Sequence, residues 1–284
     1  MNGRELSEAL RSGRRVYGTM VVAPCPRWPG IVRGAGLDFV FIDTEHNALD
    51  RHQLAWMCEA FRAAGVAPIV RIPEPDPYRA CMVLDGGAEG IIAPYVETPE
   101  QVQALRGAVR FRPLKGKHLA QALAAPSSLQ SSSFSSSSSS SSLPSPPLEP
   151  ELAAYLARRN AGTVLIVNIE STPAMAALDD ILAVPGLDAV LIGPHDLSCS
   201  LGIPEQYAHP RFEEAVRTIF RKARARNVGA GIHFWTSLEP QIRWAKEDGA
   251  NLIIHSGDVM LFSQALGADL NALRNALGDE GRKP

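Results

Sequence analysis

Short apolar runs alternate along the chain with stretches whose apolar residues recur at helical spacing. Eight runs read as strands: Tyr17–Val22, Asp38–Asp43, Ala67–Ile72, Gly90–Pro94, Thr163–Glu170, Asp188–Gly193, Gly229–Phe234 and Asn251–Ser256. Several are almost continuously apolar, as in DFVFID and TVLIVNIE, the pattern of parallel strands covered on both faces. The stretches between them carry helix boundaries. Asp50 with Gln53 three residues on forms a capping box, Leu54, Met57 and Phe61 share one face, and Gly65 ends the run. Thr98-Pro99-Glu100-Gln101 is a second such start, with proline where a helix has no N–H partner to lose. Helix-period patterns also follow Pro173, Pro210 and Asp258.

This alternation predicts an α/β chain folded as a (β/α)8 TIM barrel. Strand starts lie about 20 to 40 residues apart in six of the seven steps, a normal βα unit. The step from Gly90 to Thr163 is roughly three units long. Inside it lies Ser127–Ser142, where 13 of 16 residues are serine, followed by LPSPPLEPE. Such a composition buries no apolar surface and predicts disorder or a flexible loop. Four strands precede it and four follow, and a half-barrel buries its sheet only by closing on the other half. The expectation is one domain over 1–284 with an insertion, residues 127–150, in the fourth βα unit, rather than two domains joined by a linker.

Charge and cysteine usage narrow the partners. With 28 Lys+Arg against 30 Asp+Glu and a net charge of −2, no basic field invites nucleic acid or an anionic membrane. No apolar run approaches the ~20 residues of a membrane span, and the first residues lack the apolar stretch of a secretory signal. Cys25, Cys58, Cys81 and Cys199 are scattered without a pairing spacing and read as reduced thiols. The default is a soluble cytoplasmic protein.

In TIM barrels the chemistry sits at the C-terminal ends of the strands, and here those ends are rich in ionisable groups. Strand two runs into Asp43-Thr44-Glu45-His46, strand three ends at Arg71, strand five at Glu170, and strand six continues through Gly193-Pro194-His195-Asp196-Leu197-Ser198. Asp85 lies just before strand four. Each has a plainer alternative. Asp43, Glu45 or Asp196 can cap a following helix or turn, His46 can be a loop residue, Arg71 a surface ion pair and Asp85 a turn residue. Their clustering at one rim is what capping does not account for.

Two carboxylates on adjacent strands, Glu170 and Asp196, suit a hard divalent cation, Mg²⁺ first and Mn²⁺ or Co²⁺ as alternatives. A cation there would chelate a 2-oxo acid and ease enolisation. Arg71 would offer a positive fork to the carboxylate or developing oxyanion, and His46 would act as general base, since imidazoles titrate near neutral pH. Asp85 would orient it. The lysines Lys115, Lys117, Lys222, Lys246 and Lys283 fall at no assigned strand end, which disfavours an imine route.

FIDTEHN (41–47), PIVRIP (68–73), LDGGAEGIIAPYV (84–96), VNIES (167–171) and VLIGPHDLS (190–198) resemble, in order, the motifs of the HpcH/HpaI family of metal-dependent class II pyruvate aldolases. The resemblance implies His46 as base, Arg71 as a substrate contact, Asp85 as the partner of His46, and Glu170 and Asp196 as metal ligands. It extends the substrate contacts to Asn168, Gly193, Pro194 and Ser198. It implies no organic cofactor, and it implies reversible cleavage of a 4-hydroxy-2-oxo acid to pyruvate and an aldehyde through a metal-bound pyruvate enolate. It also implies a homo-oligomer, such as a trimer of dimers, in which the tail from Val259 to Leu277 is either exchanged between subunits or an ordinary eighth helix.

Three positions depart from the family pattern. Asn168 stands where glutamine is usual, His195 replaces the alanine beside the metal-binding aspartate, and LKGKHLAQALAAPSS replaces an arginine- and glycine-rich loop. Trp235 is a further rim residue, read as packing. Two alternatives accompany the aldolase reading: a citryl- or malyl-thioester lyase or enolate-trapping synthase of the same superfamily, and a catalytically idle oligomeric barrel serving as a binding scaffold.

Overall fold

A computed structural model describes residues 1–124 and 148–279. The chain enters through α1 (Gly3–Ser12) and β1 (Val16–Val21). Then follow α2 (Trp28–Gly34) and β2 (Phe39–Asp43), α3 (Arg51–Ala63) and β3 (Ala67–Arg71), and α4 (Pro77–Asp85) and β4 (Gly90–Ala93). Helices α5 (Pro99–Arg110), α6 (Gly116–Ala124) and α7 (Pro150–Asn160) separate β4 from β5 (Val164–Asn168). Next come α8 (Thr172–Ala176), α9 (Leu178–Ala183) and β6 (Ala189–Ile192), then α10 (Pro194–Ser200), α11 (Pro210–Ala225) and β7 (Gly229–Phe234). The chain continues with α12 (Leu238–Glu247), β8 (Leu252–Gly257) and α13 (Asp258–Leu277). The eight strands pair in parallel, each with its sequence neighbour, and β8 closes on β1. The (β/α)8 barrel expected from the sequence is therefore present, every strand lying within about two residues of its expected bounds.

Local chemistry places the helix starts. Asp50 and Thr98 cap α3 and α5 through reciprocal boxes with Gln53 and Gln101. Asp50, not Asp43 or Glu45, caps the helix after β2, while Asp43 accepts the Glu45 and His46 N–H groups in the turn that precedes it. The segment LKGKHLAQALAAPSS, read as a loop, is helical over Gly116–Ala124. Pro150, at the end of the expected insertion, opens α7, and the serine tract 127–142 lies outside the described residues.

Alternate residues of each strand face the barrel axis. Phe39 and Phe41 of β2, Ile69 of β3, Ile92 of β4, Val164 and Ile166 of β5, Ala189 and Leu191 of β6, and Leu252 and Ile254 of β8 build one interior cluster. Leu6, Ala9 and Leu10 of α1 join it and are buried. Helix α1, capped by Asn2 in a box with Glu5, thus closes the N-terminal end of the barrel, a role the sequence reading did not assign. With that end closed by apolar side chains, polar groups at the other end face the open mouth.

Helix α13 does not pack as an eighth barrel helix. Of its 20 residues Asp258 alone is buried, held there by N–H groups of Val22, Ala23 and Val259. Val259, Leu261, Phe262, Leu266, Leu270, Leu273 and Leu277 are exposed. Among the described residues no helix is long and apolar enough to cross a membrane.

Candidate active site

In β2 and β3 the interior column turns polar at its last step. In β2 it runs Phe39, Phe41, Asp43, and in β3 Ala67, Ile69, Arg71, with Asp43 and Arg71 as register partners. Arg71 Nε donates to Asp43 Oδ1 at 2.7 Å and lies 3.0 Å from Glu45 Oε2, while its guanidinium sits over the Phe41 ring, 5.1 Å from the centroid. Burial works against charge on both partners. Even so, the bond to Arg71, helped by N–H donors from Glu45 and Asn47, holds the Asp43 carboxyl below its ordinary range. Burial likewise opposes the Arg71 charge, and Asp43 and Glu45 together reverse that effect. A guanidinium anchored by two carboxylates is a fixed positive group with little freedom to swing away.

Across the mouth, Glu170 follows β5. Its Oε1 accepts the Tyr95 N–H and its Oε2 accepts Asn168 Nδ2, both at 2.8 Å. Burial dominates these bonds, and the neighbouring charges of Asp196 and Glu45 add to it, so the Glu170 pKa rises to about 7. A Cβ placed on Gly193 would collide with Glu170 Oε2 and come within 3.3 Å of Asp196 Oδ2. Glycine there keeps the space between the two carboxylates open. Asn168 Oδ1 is buried without a hydrogen-bond partner among the described residues, and a buried unpaired oxygen is costly unless something else completes it.

The sequence candidates divide between those brought together and those that are not. Arg71, Asn168, Glu170, Gly193 and Asp196 converge on the mouth. His46 lies in the bend after β2 with its side chain 62% exposed and Nε2 3.6 Å from Glu45 Oε1. Asp85 ends α4, 62% exposed and 3.2 Å from Arg112 Nε. No hydrogen bond or ion pair joins it to His46 within this chain, because α4 delivers its last residue toward the start of β4, away from the mouth. Pro194 is buried as the first residue of α10. The Ser198 hydroxyl donates to the His195 carbonyl and accepts the Glu205 N–H. It is fully buried and clamps the loop, leaving no donor for a ligand. His195 turns outward toward Cys199 and Glu205.

Asp43 and Glu45 belong to the site; the sequence places them in the ionisable rim, with capping as the plainer alternative, and assigns them no chemical role. The interior period of β2, which places Asp43 in line with Phe39 and Phe41, was the signal for the first. Tyr95 was missed entirely. It adopts φ 54°, a region that a residue with a Cβ enters only when its surroundings enforce it. Here its N–H grips Glu170 while a hydroxyl bond to Glu45 raises its own pKa to about 12.

The geometry tests the group the resemblance implies. Among the described residues no three His, Cys, Asp or Glu side chains form a self-contained metal cage. Two carboxylates flanking an open glycine, beside an orphaned amide oxygen, nevertheless fit a hard divalent cation, which takes one or two carboxylates and leaves the rest to water and substrate.

Known proteins were compared on sequence and on fold. Residues 25–265 match the HpcH/HpaI aldolase/citrate lyase family profile. A 2-keto-3-deoxy-L-rhamnonate aldolase of Salmonella gallinarum is 28% identical over 268 residues, 93% of this chain and 90% of the relative. A crystal structure of an HpcH/HpaI aldolase from Desulfitobacterium hafniense superposes with a TM-score of 0.76 at 28% identity, covering 98% of this chain and 99% of the other. That of the citrate synthase SbnG also gives 0.76, at 29% identity over 97% and 99% of the two chains. The chain belongs to the HpcH/HpaI aldolase/citrate lyase family, with lyase-type chemistry at carbon–carbon bonds as its reaction class.

Proposed function

We propose that this chain is a divalent-cation-dependent aldolase that reversibly cleaves a 4-hydroxy-2-oxo acid to pyruvate and an aldehyde. The observation that carries the reading is the opposition of two built walls. One is the Arg71 guanidinium fixed between Asp43 and Glu45; the other is Glu170 with Asp196 across the open Gly193.

Glu170 and Asp196 would hold the cation, and Asn168 Oδ1 would accept from water or substrate beside it. A bound cation would supply Lewis-acid stabilisation of the negative charge that develops on the 2-oxo oxygen. Arg71 orients the acid's carboxylate and adds a positive field that needs no reorganisation. His46 Nε2, at the accessible edge of the mouth, takes the proton of the C4 hydroxyl as the C3–C4 bond breaks. The bonding pair passes to C3 as the enolate, and C3 then takes a proton back from the protonated His46 to give pyruvate. The substrate panel begins with 2-keto-3-deoxy sugar acids, because curated relatives covering nine-tenths of the chain carry that name.

The relationship to a citrate synthase at 29% identity supports a second reading, a synthase that traps the same enolate on a larger oxo acid. Pyruvate methyl-proton exchange in D₂O, with EDTA-stripped protein and then with Mg²⁺, Mn²⁺ or Co²⁺ restored, tests the shared first step. Exchange that appears only with cation is expected, and His46→Ala should lose most of it. Folded protein that exchanges with none of the three would overturn the reading. Aldehyde against oxo-acid acceptors then separates aldolase from synthase.

The exposed apolar stripe of α13 supports a homo-oligomeric state in which a second copy covers that helix. Net charge and the lack of a basic field support small-molecule substrates rather than nucleic acid, and a cytoplasmic setting fits the reduced cysteines.

A further inference from the structure

The third wall of the mouth, formed by β7 and β8, carries a polar pair that the proposed chemistry leaves unused. His233, the last interior position of β7 after Gly229 and Gly231, lies edge-on to Phe41 with ring centroids 5.5 Å apart. On its other side stands Trp235 at 5.3 Å. Its Nε2 is 2.9 Å from the Ser256 carbonyl oxygen, and a carbonyl can only accept, so Nε2 carries the proton. Nδ1 then bears a lone pair, and it has no partner among the described residues. Burial supports this state by driving the His233 pKa down to about 4, which keeps the ring neutral near pH 7. Ser256, in β8, has a fully buried hydroxyl without a hydrogen-bond partner among the described residues, at a backbone φ of 53°.

A neutral imidazole acceptor and an orphaned hydroxyl are a poor lining for a methyl group. Aliphatic residues would fill this space without unpaired polar atoms, and the interior just below is built that way, from Leu252, Ile254 and Phe41. We propose that His233 and Ser256 form a specificity-determining wall that receives a hydroxyl group of the ligand. The hydroxyl donates to His233 Nδ1 and accepts from Ser256 Oγ, while Trp235 covers the carbon that bears it. This rests on the reading of the mouth as a 2-oxo-acid site. The hydroxyl has two possible sources, C3 of the 2-oxo acid or the carbon next to the aldehyde carbonyl.

Two isosteric pairs test it. 3-Hydroxypyruvate against 2-oxobutanoate probes the acid, with calorimetric Kd on the Mn²⁺-loaded protein as readout. Glycolaldehyde against propanal, each condensed with pyruvate, probes the aldehyde through kcat/KM. One arm should show a preference of about tenfold or more for the hydroxyl-bearing member, since a site with buried polar groups rejects an analogue that leaves them unpaired. That arm identifies the source. His233→Leu, which fits the apolar neighbours, should erase the preference, and His233→Asn should restore part of it because the amide oxygen can stand in for Nδ1. Ser256→Ala gives an independent loss should His233→Leu fail to fold. A wild-type protein with no preference in either arm would overturn the proposal, as would a preference that survives both His233→Leu and Ser256→Ala. Exchange of pyruvate protons without any preference leaves the aldolase reading standing and removes this one. A preference in Kd without proton exchange does the reverse, and no binding of either acid removes both.

Discussion

Asn168 gives its amide N–H to Glu170 Oε2 at 2.8 Å and leaves its own Oδ1 buried and unpaired. One side chain thus orients a carboxylate and presents an acceptor beside it. In a metal site such a neighbour fixes the ligand's direction and favours its charged form. Replacing Asn168 by leucine, of similar size, removes both effects. The Kd for Mn²⁺ should rise about 10- to 100-fold, measured by calorimetry at pH 7. An unchanged Kd would mean that the amide does not support the carboxylate.

The pKa of Glu170 sets a pH dependence with a definite sign. Folding raises it from an ordinary 4.5 to about 7, so between those values the native chain binds the proton more tightly than the unfolded chain does. Stability of the cation-free protein should therefore fall as pH climbs from 4.5 to 7 and level off above it. Cation competes with that proton, so Mn²⁺ affinity should climb through the same window. Urea midpoints in EDTA across pH 4.5–8, compared between wild type and Glu170→Gln, isolate the contribution. Parallel curves for the two proteins would show that Glu170 titrates normally.

The barrel was legible because strands buried on both faces are written as apolar runs, and because Asp50 and Thr98 announce their helices through capping boxes. The rim carboxylates Glu170 and Asp196 and the arginine Arg71 were legible because topology fixes where a strand ends. What lay hidden was orientation. An apolar run such as FVFID does not say which alternate set faces the axis, so the sequence leaves Asp43 between a rim group and a cap, and its register with Arg71 decides. Tyr95 acts through its backbone N–H and a left-handed φ, and neither depends on a recognisable residue type. Within this chain Asp85 ends its helix beside Arg112; the motif carries a residue's position in sequence, not the direction its helix takes it.

Arg71 is a test of fork geometry against charge. Arg71→Lys keeps the charge but cannot lie flat over Phe41 while reaching both Asp43 and Glu45. Proton exchange should fall by about 10²-fold or more, the scale of losing one preorganised electrostatic contact. Arg71→Met goes further and leaves buried carboxylates unpaired, which costs about 3–5 kcal/mol when one partner of a buried pair is removed. Its urea midpoint should drop well below that of Arg71→Lys. Equal midpoints for the two variants would show that Asp43 finds another partner.

Helix α13 leaves the barrel after Asp258 with an apolar stripe in water. Phe262, Leu273 and Leu277 are 66%, 56% and 74% exposed, and a contiguous stripe of this kind on a 20-residue helix marks an interaction face. Asp258 anchors only the first turn, through the β1–α2 loop, so packing on this chain does not account for the rest. If a second copy covers it, Leu266→Asp with Leu273→Asp places two charges in the contact. Sedimentation velocity should then show a smaller species, and the far-UV spectrum of the barrel should persist. Glu170 and Asp196, the groups proposed to hold the cation, follow β5 and β6, and among the described residues no hydrogen bond or ion pair ties either to α13. Cation binding should therefore survive dissociation. A double variant that sediments like the wild type would show that the stripe is not the assembly surface.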